Sequence, residues 1–595
     1  MEPVVSREAT GSILFRKLIL MTNLEIYVKA LATNNKMLAA LGLTTVAASS
    51  CGNAPQKDAD PRPNIVLILA DDLGYSDLGC YGGEINTPNI DSLASNGIRY
   101  TQYYNTSRSC PSRASLLTGL TPHMAGVGHM VKERPYIGYK GSIASNTVTL
   151  AEALKEAGYQ TAMTGKWHVT NTTDPNGSQE NWPIQRGFDH FYGTLGGHGS
   201  FFDPKTLCDG NTPVRAEGDY YYTEAITDHA KEYITQMSEQ KAPFFLYVAY
   251  TAPHYPMHAR KEYIDRYKGH YAAGWDSLRV RRYERMLEAG ILLPGTKLSA
   301  KDQQCYDWQS EQHKLWQQNR MEVYAAMVEQ MDHGVGEIVE ELKRQGKLEN
   351  TMIIFLSDNG ASNEGHLYNT VERTGAAWKD GMIPDSTLDG RKVHPGDFSD
   401  QELGGPDTYG SYGPQWAHLS VTPFRRYKSW MHEGGICAPM VVSWPVKITD
   451  HGALRKGVYS IIDIMPTFLE VAQINYPDSI RGQKTLPITG VSMIPSMTKG
   501  ADYNTRTLYW EHEGNRAIRQ GRWKLVSEYP GSWKTLRDYP NKGTWELYDL
   551  ETDRTEENDL AAQYPERVAQ MAAAWEDWAH NSQVEDWKAI GGEKW

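Results

Sequence analysis

The segment NIVLILADDLG limits the fold of this chain more than any other stretch. Residues 65–70 within it are apolar without a break, a pattern that suits a strand buried on both faces of a sheet. Three further strand-like runs follow, each preceded by a stretch of helical period. TLAEALKEAG reads as a helix stopped at Gly158, leading into a strand that ends near Lys166. YYTEAITDHAKEYITQMSEQ reads as a helix before the strand PFFLYVAY, and MEVYAAMVEQMDHGVGEIVEELKRQ as a helix before the strand TMIIFLSDNG. This alternation predicts an α/β fold: a large, mixed, mostly parallel sheet sandwiched by helices.

Two long interruptions break the pattern. Residues 260–319 are helical and charged; residues 361–419 are rich in Gly, Asp, Ser, Pro and aromatics without a sustained period. Loops of that length in a compact domain are usually functional or disordered, and both emerge beside strand ends that carry polar motifs. They are therefore expected to wall a substrate cleft. Trp378, Tyr409, Tyr412 and Trp416 could stack there on sugar rings or pack the loop against the body. From residue 505 the texture changes to short strands, RTLYWEHEG, NRAIRQGRWKLVS and TWELYDLETD, and a closing helix, ERVAQMAAAWEDWAHN. The expected organisation is a leader and linker over residues 1–60, a catalytic domain over 61–504, and a smaller C-terminal α+β domain with an antiparallel sheet over 505–595.

With 72 acidic and 60 basic residues, a net charge of -12 and no dense Lys/Arg run, nucleic acid is excluded as a partner class. The six cysteines lack CxxC or metal-finger spacing, which suggests neither a zinc module nor a dense disulfide framework. Cys51 stands apart. Lys36 precedes the apolar MLAALGLTTVAA, and Ser49 and Ser50 lead to the cysteine, which is the shape of a secretory signal. It resembles a bacterial lipoprotein signal, with Ala48 where such signals usually carry leucine. The expectation is an exported bacterial protein, periplasmic or attached to the outer membrane, its membrane association confined to a lipid anchor at Cys51. A disordered leader, or one cleaved at small residues without lipid, stays as the alternative.

Two strand ends carry clustered oxygen ligands. The strand over residues 65–70 ends in Asp71-Asp72, and the strand over 352–356 in Ser357-Asp358-Asn359-Gly360. In parallel α/β sheets ligands gather at the carboxyl ends of strands. Three carboxylates and an amide oxygen would there make a hard-oxygen site for Ca²⁺ or Mg²⁺ rather than for a thiophilic metal. Capping of a helix or turn is the plainer reading of either motif alone; their pairing favours the metal.

Ser109-Cys110-Pro111-Ser112-Arg113, followed by ASLLTGLTPHMAGV, resembles the sulfatase pattern of Cys or Ser, any residue, Pro, any residue, Arg, with Leu-Thr-Gly downstream. Other motifs similar to those of the sulfatase family stand in the expected order: LADDLGYSDLGCYG, TGKWH, TAPHYP, LSDNG and PFRRYKSWMHEGG. The resemblance runs from residue 64 through 560, and GFDHFYGTLGGHGSFFDP and YGPQWAHLSVTPFRRYKSWMHEGG look most like bacterial arylsulfatase-type members. It implies an alkaline-phosphatase-like fold and hydrolysis of sulfuric esters.

Carried over residue by residue, the resemblance implies that Ser109 is oxidised to formylglycine, whose aldehyde hydrates to a geminal diol. The serine in place of cysteine implies a serine-type formylglycine-generating maturation enzyme as a partner. A plain hydroxyl attacking sulfur would leave a stable sulfated serine; a diol can lose its second proton, collapse to the aldehyde and expel sulfate. The implied metal ligands are Asp71, Asp72, Asp358 and Asn359, with an oxygen of the modified Ser109, and the implied ion is Ca²⁺, with Mg²⁺ as its alternative. Arg113 and Lys166 would support the diol and the sulfate, and Lys428 would neutralise the transferring group. His168 would take the diol proton and His254 would protonate the leaving alkoxide. Cys110 reads as a small buried neighbour, and His198, His432 and His512 as weaker candidates for the substrate rim. Export together with aromatic loops points to a sulfated glycan rather than a small phenol. Two alternatives remain at this point: a phosphoester or phosphonate hydrolase of the same superfamily, and an inactive glycan-binding lipoprotein.

Overall fold

The computed structural model describes residues 60–365, 382–529 and 543–591; the leader with Cys51, and Trp378, lie outside the described residues. β1 (Asn64–Ala70) is buried at every position, as its apolar run requires. β2 (Ile98–Tyr104) follows, then α1 (Ser109–Thr118), α2 (Leu150–Glu156), β3 (Gln160–Gly165) and β4 (His190–Thr194). α2 opens on a capping box in which the Thr149 hydroxyl accepts from Glu152 N–H while the Glu152 carboxylate accepts from Thr149 N–H. α3 (Tyr222–Ser238) leads to β5 (Phe244–Ala249), and α4 (Gly274–Glu288) and α5 (Lys314–Arg344) lead to β6 (Thr351–Ser357). α5 starts at Lys314, ahead of the expected Met321, because KLWQQNR adds two turns of good helix formers. α6 (Gly413–Ser420), β7 (Cys437–Ser443) and α7 (Ile464–Ala472) complete this part of the chain.

β1 to β7 belong to one eleven-stranded sheet whose central order is β2-β7-β6-β1-β5-β3-β4, extended at both edges by strands of two or three residues. The run β6-β1-β5-β3-β4 is parallel, and β7 is antiparallel to both its neighbours. Alternate side chains of β1 feed two separate cores. Val66 and Ile68 pack with α3 and α5, while Ile65, Leu67 and Leu69 pack with α1, α2 and α7. Register then fixes where the polar strand ends fall. Ala70 pairs with Ser357 and Gly165 with Ala249, so Asp71, Asp358 and Lys166 leave neighbouring strands at one level.

The first interruption is a brace. Arg282 of α4, fully buried, donates from Nε and Nη2 to the Glu84 carboxylate at 2.7 Å each and from Nη1 to Asp77 Oδ1 at 2.6 Å. This pins the segment that follows β1. The second interruption holds more regular structure than its composition suggested, since its last residues form α6, opened by a proline in the first turn. The aromatics there pack inward. Tyr412 stacks on Tyr324 with ring centroids 4.3 Å apart, Trp416 meets Trp275 edge-on at 5.2 Å, and Tyr409 is fully buried.

A second sheet of β8 (Thr507–His512), β9 (Asn515–Gln520), β10 (Trp523–Ser527) and β11 (Glu546–Asp549) is antiparallel in sequence order. NRAIRQGRWKLVS, expected as one strand, is two. Gln520 pairs with Trp523, so Gly521 and Arg522 form a two-residue hairpin loop, with Gly521 at φ +58° supplying the left-handed conformation. α8 (Pro565–Asn581) covers this sheet, where Met571 and Trp575 close a core with Ile518, Leu525 and Leu547. Among the described residues no helix is long and apolar enough to cross a membrane.

Candidate active site

The carboxyl ends of β6, β1 and β3 converge on the first turn of α1. Ser109 is the first residue of that helix, and all ten of its residues are buried. Its Oγ accepts from Arg113 Nε at 2.9 Å, one helical turn on. The same guanidinium reaches outward: Nη1 donates to the Lys166 carbonyl at 2.9 Å, and Nη2 lies 3.2 Å from Asp358 Oδ2 and 3.3 Å from Asp71 Oδ2. Lys166 Nζ donates to Asp71 Oδ2, and Lys428 Nζ donates to Asp72 Oδ2 at 2.9 Å. His254 turns Nε2 toward Asp72 Oδ2 at 3.5 Å, while its Nδ1–H donates to the Tyr255 carbonyl at 2.6 Å. His168 directs Nε2 at the Cys110 thiol, 3.2 Å away, and Gly197 lies flat on its ring, where a Cβ would stand 2.3 Å from Nε2. All ten residues expected at the site thus meet in one place.

The backbone is strained here. Asp72, Ser107, His168, Arg426 and Ser429 hold φ between +56° and +78°, and each lies within two residues of a site side chain. Non-glycine residues are seldom found in that region unless the surroundings impose it.

The oxygen donors fit a hard cation. Asp71 Oδ1 and Asn359 Oδ1 are buried and accept no hydrogen bond among the described residues, although the other oxygen of Asp71 and the amide nitrogen of Asn359 are bonded. Burial, then the neighbouring Asp71 carboxylate, pushes Asp358 up to about 7. Asp71 is also buried, yet Lys166, His254 and Arg113 hold it well below the usual carboxylate range. Asp71, Asp358 and Asn359 would hold a divalent ion here, which would supply positive charge to the two idle oxygens and offset the repulsion between the carboxylates. Burial draws both histidines down: His254 to about 4 against the pull of Asp72, and His168 well below its ordinary value with help from Lys166 and Arg113. Both shifts favour the neutral ring. Lys428 is held above its usual value, because Asp72 and Glu364 outweigh its burial.

Other expected residues fall in different places. His198 is half-buried at the edge of the site, its ring parallel to His254 at 6.4 Å and its Nδ1 2.7 Å from the Tyr409 hydroxyl. His432 is fully buried with Nε2 3.4 Å from Glu546, and His512 is fully buried against His129, so neither forms a rim. Two residues went unnoticed in the sequence. Glu364 lies 3.5 Å from Lys428 and 3.4 Å from Arg108, which in turn donates to Ser429 Oγ at 2.7 Å. Arg108 adjoins the Ser109 motif, and a buried charge beside a nucleophile motif is a signal that could have found it.

The profile of the Sulfatase family matches residues 63–474, and that of the N-sulphoglucosamine sulphohydrolase C-terminal region matches 425–578. An arylsulfatase of Klebsiella aerogenes is 34% identical over 490 residues, 79% of this chain and 98% of the relative. An N-acetylglucosamine-6-O-sulfatase of Bacteroides thetaiotaomicron is 25% identical, over 89% of this chain and 88% of the relative. Among solved structures, Ps i-CgsB in complex with k-i-k-neocarrahexaose superposes with a TM-score of 0.61 at 25% identity, covering 88% of this chain and 94% of that one.

Proposed function

The chain belongs to the sulfatase family and hydrolyses sulfate esters, and from that premise we propose that it takes sulfate from a sulfated carbohydrate, using a formylglycine made from Ser109 and one divalent cation. The observation that carries this reading is the fork of Arg113, which touches Ser109 Oγ with one nitrogen and reaches Asp71 and Asp358 with another. The residue to be modified and the oxygen ligands are thereby held in one rigid frame.

Asp71, Asp72, Asp358 and Asn359 would hold the ion, and their all-oxygen set favours Ca²⁺, with Mg²⁺ as the alternative. Such an ion supplies positive charge that lowers the proton affinity of a neighbouring hydroxyl and binds an oxyanion. Arg113 orients the oxygen of residue 109, and the N-terminus of α1, to which the Arg108 side chain donates no cap, begins at that residue. Lys166 and Lys428 place two further cations beside it, where charge spreads over the sulfate oxygens as the ester bond breaks. His168, neutral, can accept the proton released as sulfate is expelled. His254 turns Nε2 toward Asp72, and from that atom a proton would pass to the leaving alcohol; a bound sulfate monoanion would favour the charged ring that does this.

The carbohydrate reading draws on the N-acetylglucosamine-6-O-sulfatase and on the saccharide bound by Ps i-CgsB. A phosphoester hydrolase with two metals would need further carboxylates beside Asp71 and Asp72, where the ammonium groups of Lys166 and Lys428 stand. The serine at 109 supports serine-type maturation, and the apolar stretch and small residues before Cys51 support export as a lipoprotein with Cys51 as its lipidated first residue. Loss of lipid labelling in Cys51→Ala would support the anchor, and labelling unchanged by it would remove it. The activity is tested with paired aryl sulfate and aryl phosphate substrates and a panel of defined sulfated saccharides, using protein matured in a host with the serine-oxidising system. Sulfate release from a saccharide, lost in Asp358→Ala, is expected; dominant phosphate release would refute the proposal.

A further inference from the structure

A second set of metal-ligating side chains lies where the small sheet meets the rest of the fold. His129 comes from the loop after α1, His512 ends β8, and Glu513 lies in the turn to β9 with φ +54°. All three are buried. His129 Nε2 is 3.0 Å and His512 Nε2 3.6 Å from the same oxygen, Glu513 Oε1. One ligand atom from each residue lies within 4.8 Å of the other two, spacing that accommodates a central ion at about 2.1 Å from each. The two imidazole rings stack nearly parallel, with centroids 5.4 Å apart.

His512 gives the independent observation. It is fully buried, and neither Nδ1 nor Nε2 has a hydrogen-bond partner among the described residues. A neutral imidazole carries one donor and one acceptor, and leaving both idle in the interior is costly. A metal on Nε2 would satisfy the acceptor. Arg108, a neighbouring cation, has Glu364 at 3.4 Å to take up its charge.

We propose that His129, His512 and Glu513 bind a divalent transition metal of the zinc class, at a site distinct from the hard-oxygen site at Ser109. Two imidazole nitrogens and one carboxylate oxygen suit zinc rather than calcium or magnesium, and leave a fourth position for water. The ion would tie the β8–β9 turn to the loop bearing His129. The next residue, Met130, places its thioether 3.8 Å from Cys110 Sγ, directly beside Ser109. The metal therefore has a structural role, bracing the floor under the nucleophile position, and the proposal holds whatever substrate the enzyme takes.

The test uses the full chain, stripped with chelator, returned to excess Ca²⁺ to occupy the oxygen site, and titrated with Co²⁺ as a coloured probe. One equivalent of Co²⁺ should bind with the strong visible absorption of a four-coordinate site, be displaced by Zn²⁺, and raise the thermal midpoint. The absorption should vanish in His512→Ala and Glu513→Gln and persist in Asp358→Ala. No such band in the wild-type chain, a band undiminished in the first two variants, or its loss in Asp358→Ala would overturn the proposal. Should His512→Ala fail to fold, X-ray absorption of the wild-type Co²⁺ complex decides: two imidazole ligands support it, and an all-oxygen shell refutes it.

Discussion

Arg113 joins Ser109, the Lys166 carbonyl and two carboxylates through one planar group, a task a lysine ammonium cannot copy. Arg113→Lys keeps the charge and loses the fork, so kcat/KM on a sulfate ester is expected to fall by about 10²–10³; a loss under about threefold would show that the guanidinium does not orient residue 109. A second expectation concerns pH. His258 is fully buried, with Nε2–H donating to the Thr408 carbonyl at 2.7 Å and Nδ1 accepting from Phe201 N–H at 3.3 Å, and burial draws its pKa to about 4. In the unfolded chain the same ring protonates near 6.5. Between these values the unfolded state binds the extra proton, so the stability tied to His258 is complete above pH 6.5 and is lost as pH falls toward 4, on the order of 3 kcal/mol over that interval. Denaturant midpoints should drop from pH 7 to pH 5, and His258→Gln should narrow the drop; equal midpoints at the two pH values would contradict this.

At the scale of elements, the site depends on strands that end level with one another. Gly165, the last residue of β3, has φ +103° and passes so close to β5 that a Cβ would stand 2.0 Å from the Ala249 carbonyl oxygen. Gly165→Ala should cost at least about 2 kcal/mol and displace Lys166, lowering both the denaturant midpoint and kcat. The central strands were legible because apolar runs such as residues 65–70 have no other way to be buried, and the polar residues that end them, Asp71-Asp72 and Asp358-Asn359, stood out by contrast. Other elements left less trace. Ala453–Arg455 and Leu207–Asp209 are too short to show a period, the β9–β10 turn rests on a single glycine, and α6 sits in a stretch whose composition reads as loop. The contact of Glu364 with Arg108 joins residues more than 250 apart, and no local pattern records it. That Ser109, Arg113 and Lys428 belong to one site was legible through family resemblance rather than through periodicity, since a lone lysine or serine carries no chemical signature.

Across the whole molecule, the second sheet is fastened to the first by buried charge. Lys524 of β10 is fully buried between Glu433 at 2.9 Å and Glu556 at 2.8 Å. Burial, opposed by Lys524 and reinforced by Glu433, pushes Glu556 up to about 7. Lys524→Met should cost about 3–5 kcal/mol, because it removes the cation between Glu433 and Glu556 and leaves Glu433 only Arg554 at 3.8 Å among the described residues, and denaturant unfolding would register it. Trp510 adds a neutral tie by donating from Nε1 to the Asn105 carbonyl at 2.8 Å, four residues before the nucleophile position. Removal of the divalent ion should lower the thermal midpoint as well as abolish activity, with Ca²⁺ at 100 times its Kd restoring about 2.7 kcal/mol. The proposed mechanism of sulfate release rests on residue 109 being chemically altered. The direct measurement is the mass of the peptide spanning residue 109 from preparations of graded activity. A loss of two hydrogens at Ser109, in a fraction that tracks the rate of sulfate release, is the predicted result; full activity with Ser109 unmodified would contradict the account.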